Sequence, residues 1–365
     1  MRELVVAAYL SEHGFGHAVR SLELLRALAE RRPEIRVHLA TRLPAWLHER
    51  VPRLVRHERM ALPPPLVQAD SINVDHEASV KLLGSTLAGW PQALAEHRRF
   101  LGAIGARLVY CDVPALPLAA GRAAGVRAVA LGNFTWDWIY RAYRDMHPIY
   151  GQAAEQHGQA YGAADLYLRL PMAAEPPCGV SVRELGWIAR RPAQPRARVR
   201  AVLGLGEQEP VVLLSLGGHP SIDLGELAAS PLARRVQLLG GRQLAALAGV
   251  VHVADEARLR DQGIAYVDLV AAADVVVSKP GYGIISECVA ARTRLVYLPR
   301  PGFPEIPLLV PDMRRLLGAI EVSADGPAVA GIAAAVERAL AQPRPEPDCS
   351  LAGNDEAVAA IESLL

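Results

Sequence analysis

The chain has 365 residues, 51% of them hydrophobic and 21% charged, which excludes extended disorder and leaves room for two ordinary cores. Its 39 basic and 38 acidic residues give a formal charge of +1, so no global field draws it to nucleic acid, and no basic run is interleaved with aromatics. The four cysteines, Cys111, Cys178, Cys288 and Cys349, are scattered without metal-ligand spacing, a usage that suits a reducing compartment.

The apolar run at the start is too short for a membrane span. Glu12 and His13 follow it, with no small-residue cleavage site, so a soluble, cytoplasmic protein is expected. Leu4–Leu10 predicts a strand, and Ala18–Arg31 a helix with apolar residues at helical spacing. Arg36–Ala40 is a second strand and Pro44–Arg50 a short helix. Leu108–Cys111 is a buried strand, Ala115–Ala124 its crossover helix and Ala128–Gly132 the next strand. Such alternation implies a parallel sheet covered on both faces.

The run Pro171–Pro210 holds six prolines, counting both ends, and the arginine-rich stretch Arg190–Arg200. It predicts an interdomain connection followed by a short helix. The alternation then restarts with strands at Val211–Leu216, Val236–Leu239, Val250–Val253, Ala265–Val267, Val275–Val277 and Leu295–Leu298. Leu224–Leu232 is partly helical and Ala330–Leu340 fully so. Glu356–Leu364 is a last helix, capped by Asn354 or Asp355. The expected domains are 1–188, 189–350 and a C-terminal helix in 351–365 that packs back on the first: α/β, two Rossmann-like halves.

Three glycine turns carry the chemistry. Ser11-Glu-His-Gly-Phe-Gly-His17 joins the first strand to the first helix, where main-chain N–H groups and the helix dipole meet anions. It lacks the third glycine of a dinucleotide fingerprint. A histidine beside a helix N-terminus is biased toward the neutral ring, which makes His17 a candidate general base; capping of the turn is the plainer role, above all for His13. Ser215-Leu-Gly-Gly-His219 repeats the arrangement in the second half. The third turn, Lys279-Pro-Gly-Tyr-Gly283, follows a buried strand and opens a helix. Pro280 and the two glycines predict a tight turn with N–H groups aimed at an anion, and Lys279 adds a full charge. Glu287 lies about one and a half helical turns beyond Gly281, within reach of hydroxyls near that anion.

At these turns the sequence resembles the glycosyltransferase B (GT-B) superfamily, in which two Rossmann-like domains face each other across a cleft. The spacing Lys279…Gly281…Glu287 is similar to the nucleotide-binding signature of plant glycosyltransferases and of the peptidoglycan N-acetylglucosaminyltransferase. There a basic residue and glycines hold the diphosphate and the glutamate holds ribose. His13-Gly-Phe-Gly-His-Ala-Val-Arg20, Cys111-Asp-Val, Asn133-Phe-Thr-Trp-Asp-Trp-Ile-Tyr140, Gly281-Tyr-Gly and Phe303-Pro-Glu305 resemble the N-terminal, glycosyltransferase-like part of plant L-arabinokinases and bacterial relatives. The resemblance covers that part only, so sugar phosphorylation is not carried over.

The resemblance implies an inverting, metal-independent transfer of a hexosyl or N-acetylhexosaminyl group from a nucleotide sugar, with uridine as the guessed base, to a small-molecule or glycan hydroxyl. No cofactor, nucleic acid or membrane span is implied, and oligomeric state is left open. His17 takes the place of the base and Asp112 that of the aspartate orienting it; Asp112 as a helix cap is the plainer alternative. Gly14, Gly16, Ser215, Gly217, Gly218, Lys279, Gly281, Tyr282, Gly283, Glu287 and Glu305 are the donor-binding candidates. His13, Asn133, Trp136 and Asp137 are the acceptor candidates, from a segment where Phe134, Trp136, Trp138 and Tyr140 alternate. Asp70–Glu77 gathers three carboxylates and a histidine but reads better as a solvated loop than as a metal site. Two other functions stay open: a non-catalytic nucleotide-sugar sensor, and a nucleotide-sugar epimerase, whose Gly-Thr-Arg-Pro motif is absent.

Overall fold

The computed structural model describes residues 3–11, 15–69, 73–216, 223–247, 250–323 and 328–365. His13, Gly14, Gly217 and Gly218 lie outside these. The chain divides into two compact units, Met1–Val67 with Val74–Ile188 and Cys349–Leu365, and Gln68–Asn73 with Ala189–Asp348.

Each unit is built on one parallel sheet. In the first, β1 (Leu4–Leu10), β2 (Ile35–Ala40), β3 (Leu54–Arg56), β4 (Leu108–Asp112), β5 (Arg127–Gly132), β6 (Leu166–Arg169) and β7 (Ser181–Glu184) lie in the order β3-β2-β1-β4-β5-β6-β7. In the second, β8 (Val211–Ser215), β9 (Gln237–Gly241), β10 (Val251–Ala254), β11 (Val275–Ser278), β12 (Arg294–Tyr297) and β13 (Ile320–Glu321) run β10-β9-β8-β11-β12-β13. Winding proceeds outward from β1 on one side and from β4 on the other, and likewise from β8 and β11. Such reversals open a crevice at the carboxyl ends of the two central strands.

The near-continuous apolar runs of the central strands follow from burial on both faces. Val6, Ala8 and Leu10 of β1 pack with Leu22, Leu25 and Leu28 of helix Phe15–Arg31 and with Ala357, Val358 and Ile361 of helix Gly353–Glu362. Ala7 and Tyr9 point the other way, into a core with Val109, Cys111, Leu101 and Leu118. In the second unit Val212, Leu214, Val275 and Val277 meet Ile332 and Val336 of helix Ala328–Ala341. Among the described residues no helix is long and apolar enough to cross a membrane.

Several segments differ from the sequence expectation. Ala265–Val267 is not a strand: helix Tyr266–Ala272 begins there, because the Asp268 carboxylate accepts the Ala265 N–H at 2.7 Å and those of Ala193 and Gln194 at 2.7 and 3.0 Å. The proline-rich run contains β7, paired with β6, before helix Arg196–Leu203. Leu224–Leu232 splits at Ser230-Pro231 into helix Leu224–Ala229 and a 3-10 turn. The last helix starts at Gly353, and neither Asn354 nor Asp355 caps it. Its cap is Ala352, and Gly353 packs so tightly on Gly186 that an added Cβ would lie 2.1 Å from the Gly186 carbonyl oxygen. The polar loop before Ala78 opens helix His76–Ala103, which Asp75 caps at 2.9 Å, while Glu77 pairs with Lys81.

Candidate functional site

His17, Arg20 and Ser21 stand three and four residues apart, on one face of helix Phe15–Arg31. That face meets the end of β4, where Asp112 is 0% exposed. The Asp112 carboxylate accepts from His17 Nδ1 at 2.9 Å, from Arg20 Nε and Nη2 at 2.7 Å each, and from Ser21 Oγ at 2.6 Å. Ser11 N–H donates to the Asp112 carbonyl at 2.7 Å, tying the turn after β1 to β4. Burial by itself would raise this carboxyl. Arg20, through its charge and hydrogen bonds, and then His17 outweigh burial and hold it well below the usual carboxylate range. An ionised Asp112 has no hydrogen to give, so its hydrogen bond with His17 takes the hydrogen from Nδ1, which in the neutral ring leaves the lone pair on Nε2; Arg20 Nη2 lies 3.0 Å from the same Nδ1. Asp112 caps no helix, since helix Leu116–Ala124 begins after Ala115 without a side-chain cap.

The acceptor candidates separate. Asn133 is buried behind the site: its oxygen accepts from Arg20 Nη1 and its amide donates to the Pro171 carbonyl at 2.6 Å. It positions Arg20 and is turned to the protein. Asp137, 3% exposed, pairs with Arg141 at 2.7 Å. Trp136 lines a pocket of the first unit together with Tyr140 and His157. Phe134 sets its edge against His17, ring centroids 5.7 Å apart. The turn after β5 is tied to the turn after β4 by Tyr161, whose hydroxyl donates to the Val113 carbonyl and accepts the Trp136 N–H at 3.1 Å.

In the second unit β8 and β11 are neighbours in a register that sets Ser215 beside Ser278. Ser215 and Ser278 therefore stand side by side at the carboxyl ends of their strands. Ser278 Oγ donates to the Ser215 carbonyl at 2.8 Å, and Tyr266 donates to Ser215 Oγ at 2.6 Å. Gly281 is the N-cap of helix Tyr282–Ala291, with Gly283 in its first turn. Its φ of −167° is ordinary extended backbone, so this position does not need glycine for its conformation. Among the described residues a Cβ there would meet no heavy atom within 4 Å. The missing side chain leaves open space in front of a helix N-terminus.

Half-buried Lys279 precedes that opening. Glu287, buried on the same helix, accepts from Arg190 through Nε at 3.0 Å and through Nη2. Glu305, also buried, begins helix Ile306–Leu317 without a side-chain cap bond. It ends the loop after β12, where Arg300 lies 3.6 Å above the Phe303 ring.

Four side chains that order these groups are given no role by a motif-based view: Arg20, Ser21, Asn133 in its place behind Arg20, and Arg190. Helical spacing from His17 finds the first two. Nothing in the sequence links Asn133 to Arg20 or Arg190 to Glu287 across about a hundred residues of chain. Among the described residues no group of three or more His, Cys, Asp or Glu could hold a metal ion.

No family model matches the chain. It is 30% identical over 318 residues to an L-arabinokinase of Arabidopsis thaliana, 84% of this chain and 29% of that protein. A UDP-N-acetylglucosamine--N-acetylmuramyl-(pentapeptide) pyrophosphoryl-undecaprenol N-acetylglucosamine transferase of Clavibacter michiganensis subsp. michiganensis is 32% identical over 123 residues, 33% of either chain. The chain thus spans a third or less of the length of these curated relatives. Among solved structures, the glycotransferase of kitacinnamycin superposes with a TM-score of 0.64 at 19% identity, covering 100% of both chains. The calicheamicin glycosyltransferase gives 0.62 at 19%, covering 100% of this chain and 99% of its own. The fold is that of the GT-B glycosyltransferases.

Proposed function

We propose that the protein is an inverting glycosyltransferase that moves a sugar from a nucleoside diphosphate to a hydroxyl acceptor, with His17 as general base. The observation that carries this reading is the contact of His17 Nδ1 with a buried, ionised Asp112. It sets the imidazole tautomer and leaves Nε2 to take a proton. The acceptor hydroxyl gives its proton to Nε2 as its oxygen bonds to the anomeric carbon. The bond from that carbon to the diphosphate oxygen breaks, and the diphosphate leaves with the electron pair.

The first unit then holds acceptor and base, and the second the donor. The opening before helix Tyr282–Ala291, with Lys279 beside it, would receive the diphosphate without a metal ion, and Ser215 at the adjacent turn would donate to it. Glu287, oriented by Arg190, would take the ribose hydroxyls, and Glu305 hydroxyls of the donor sugar. Uridine is favoured because the Clavibacter relative is a UDP-N-acetylglucosamine transferase. Whether the sugar is a hexose or an N-acetylhexosamine is a matter for a donor panel.

The test is incubation with UDP-sugars and a panel of alcohols, followed by mass spectrometry. His17→Ala is expected to keep the thermal shift produced by UDP and to lose transfer by a factor of about 10²–10⁴. Transfer at the wild-type rate in His17→Ala overturns the base. A wild-type protein that binds UDP-sugars but modifies no acceptor is a binding protein.

A further inference from the structure

Each oxygen of the buried Asp112 carboxylate serves two donors. Oδ1 accepts from His17 Nδ1 at 2.9 Å and Arg20 Nη2 at 2.7 Å, and Oδ2 from Arg20 Nε at 2.7 Å and Ser21 Oγ at 2.6 Å. Of these donors Arg20 alone holds both oxygens, in the fork geometry that a guanidinium and a carboxylate share. Its remaining arm, Nη1, donates to Asn133 Oδ1. The Asn133 amide is turned that way by its own donation to the Pro171 carbonyl at 2.6 Å. Arg169 in turn braces that loop, donating to the Ala173 and Ala174 carbonyls at 3.1 Å each. The guanidinium is thus set from β4, from the end of β5 and from the loop after β6.

Arg20 Nη2 also lies 3.0 Å from His17 Nδ1. In the neutral ring that nitrogen has a hydrogen or a lone pair, so it gives to Asp112 or takes from Arg20, but never both. The two choices put the outer nitrogen in opposite states. Giving leaves a lone pair on Nε2, whereas taking leaves a hydrogen there and no base. An ionised Asp112 draws the hydrogen from Nδ1, and the closeness of Nη2 is then that of two donors meeting on one oxygen. Burial alone raises this carboxyl, and Arg20 is the largest of the groups that offset burial. Without the cation the carboxyl keeps its own hydrogen and gives it to the better acceptor of the two neighbours left, an imidazole nitrogen rather than the Ser21 hydroxyl. The ring's single hydrogen then sits on Nε2.

We propose that Arg20 is a positioning residue for the base: its grip on both Asp112 oxygens selects which nitrogen of His17 carries the hydrogen. The inference rests on the sugar-transfer reading only for the use made of the Nε2 lone pair. The tautomer itself is a property of the protein alone.

15N NMR of histidine-labelled protein, with no nucleotide or acceptor added, tests it, because bare and hydrogen-bearing ring nitrogens resonate far apart; the His17 signals are those lost in His17→Gln. The wild type is expected to carry its hydrogen on Nδ1. Arg20→Met, similar in length and uncharged, should move the hydrogen to Nε2 and lower transfer by about 10⁴-fold, the scale on which a wrong tautomer acts. Arg20→Lys keeps a charge but meets one oxygen at a time, and should show both tautomers with an intermediate loss of transfer. A residue that only braced the fold would lower the folded fraction in both variants and leave the tautomer of the folded molecules unchanged. Should Arg20→Met not fold, Arg20→Lys decides alone. A wild type with the hydrogen on Nε2, or Arg20→Lys with the wild-type tautomer, overturns the inference. Tautomers that follow this order in a protein that transfers no sugar keep the inference and remove the transfer reading. Sugar transfer with a tautomer indifferent to Arg20 removes the inference alone.

Discussion

Gly132 and Gly281 mark two kinds of turn in one chain. At Gly132 an added Cβ would lie 2.9 Å from both the Phe134 carbonyl oxygen and Val113 Cγ1. That turn is filled, and its work is done by side chains that order charge around Asp112. At Gly281 the same atom would meet nothing within 4 Å among the described residues, and what is on offer there is main chain. A proton-accepting ring needs its tautomer and orientation held by neighbours, which requires packing and paired charge. An anion such as diphosphate is met by helix N–H groups that are already aligned, which requires only clear approach.

The sharpest way to break the contrast is to strip the filled site of its cation. Arg20→Ala leaves the buried Asp112 carboxylate, among the described residues, with Ser21 and His17 alone, and should cost about 3–5 kcal/mol of stability in urea unfolding; a loss under about 1 kcal/mol would show that the pairing matters little. Next comes pH. His97 and His157 are pushed by burial to about 4, below their unfolded value near 6.5. The unfolded chain therefore takes up protons first, and the stability these groups contribute is complete above about pH 6.5 and lost as pH falls toward 4, by about 2–3 kcal/mol for each. Asp112 also has a depressed value, but its contribution is kept down to about pH 4 and lost only below it. A stability curve flat from pH 7 to 4.5 would contradict the histidine assignment.

Gly132→Ala should cost about 1–3 kcal/mol by overpacking, read from the same unfolding curves. Glu287→Gln should weaken UDP binding by about tenfold in calorimetry, because a neutral amide takes ribose hydroxyls less well than a carboxylate. The smallest stability effect is expected of Gly281→Ala, within about 0.5 kcal/mol of wild type, with UDP binding reduced nonetheless. Equal stability losses for Gly132→Ala and Gly281→Ala would erase the distinction between the two turns.

The sheets were legible from the sequence because apolar runs and glycine turns alternate, and the strands that carry the site, β1, β4, β8 and β11, are the most uniformly apolar. Helix His76–Ala103 went unread: Pro91 sits in its middle, and only five of its residues, Ser79, Leu83, Trp90, His97 and Leu101, are buried. His17 and Asp112 each stand at the end of a recognisable element, which is why both could be singled out. Asn133, by contrast, looks from its aromatic neighbours like a ligand-facing residue, and only the fold brings it behind Arg20. Lys279 and Glu287 share one local motif, but Arg190 reaches Glu287 from a connection whose path no periodicity encodes.

The last helix, Gly353–Glu362, completes the core that β1 began. A ribosome making this protein releases the opening strand first and must then synthesise all of the second unit before the final piece of the first is available. The first unit thus waits, with the apolar face of helix Phe15–Arg31 incompletely covered, until helix Gly353–Glu362 has been made. Cutting the gene after Ile188 would leave that wait permanent, and the fragment would be prone to aggregate.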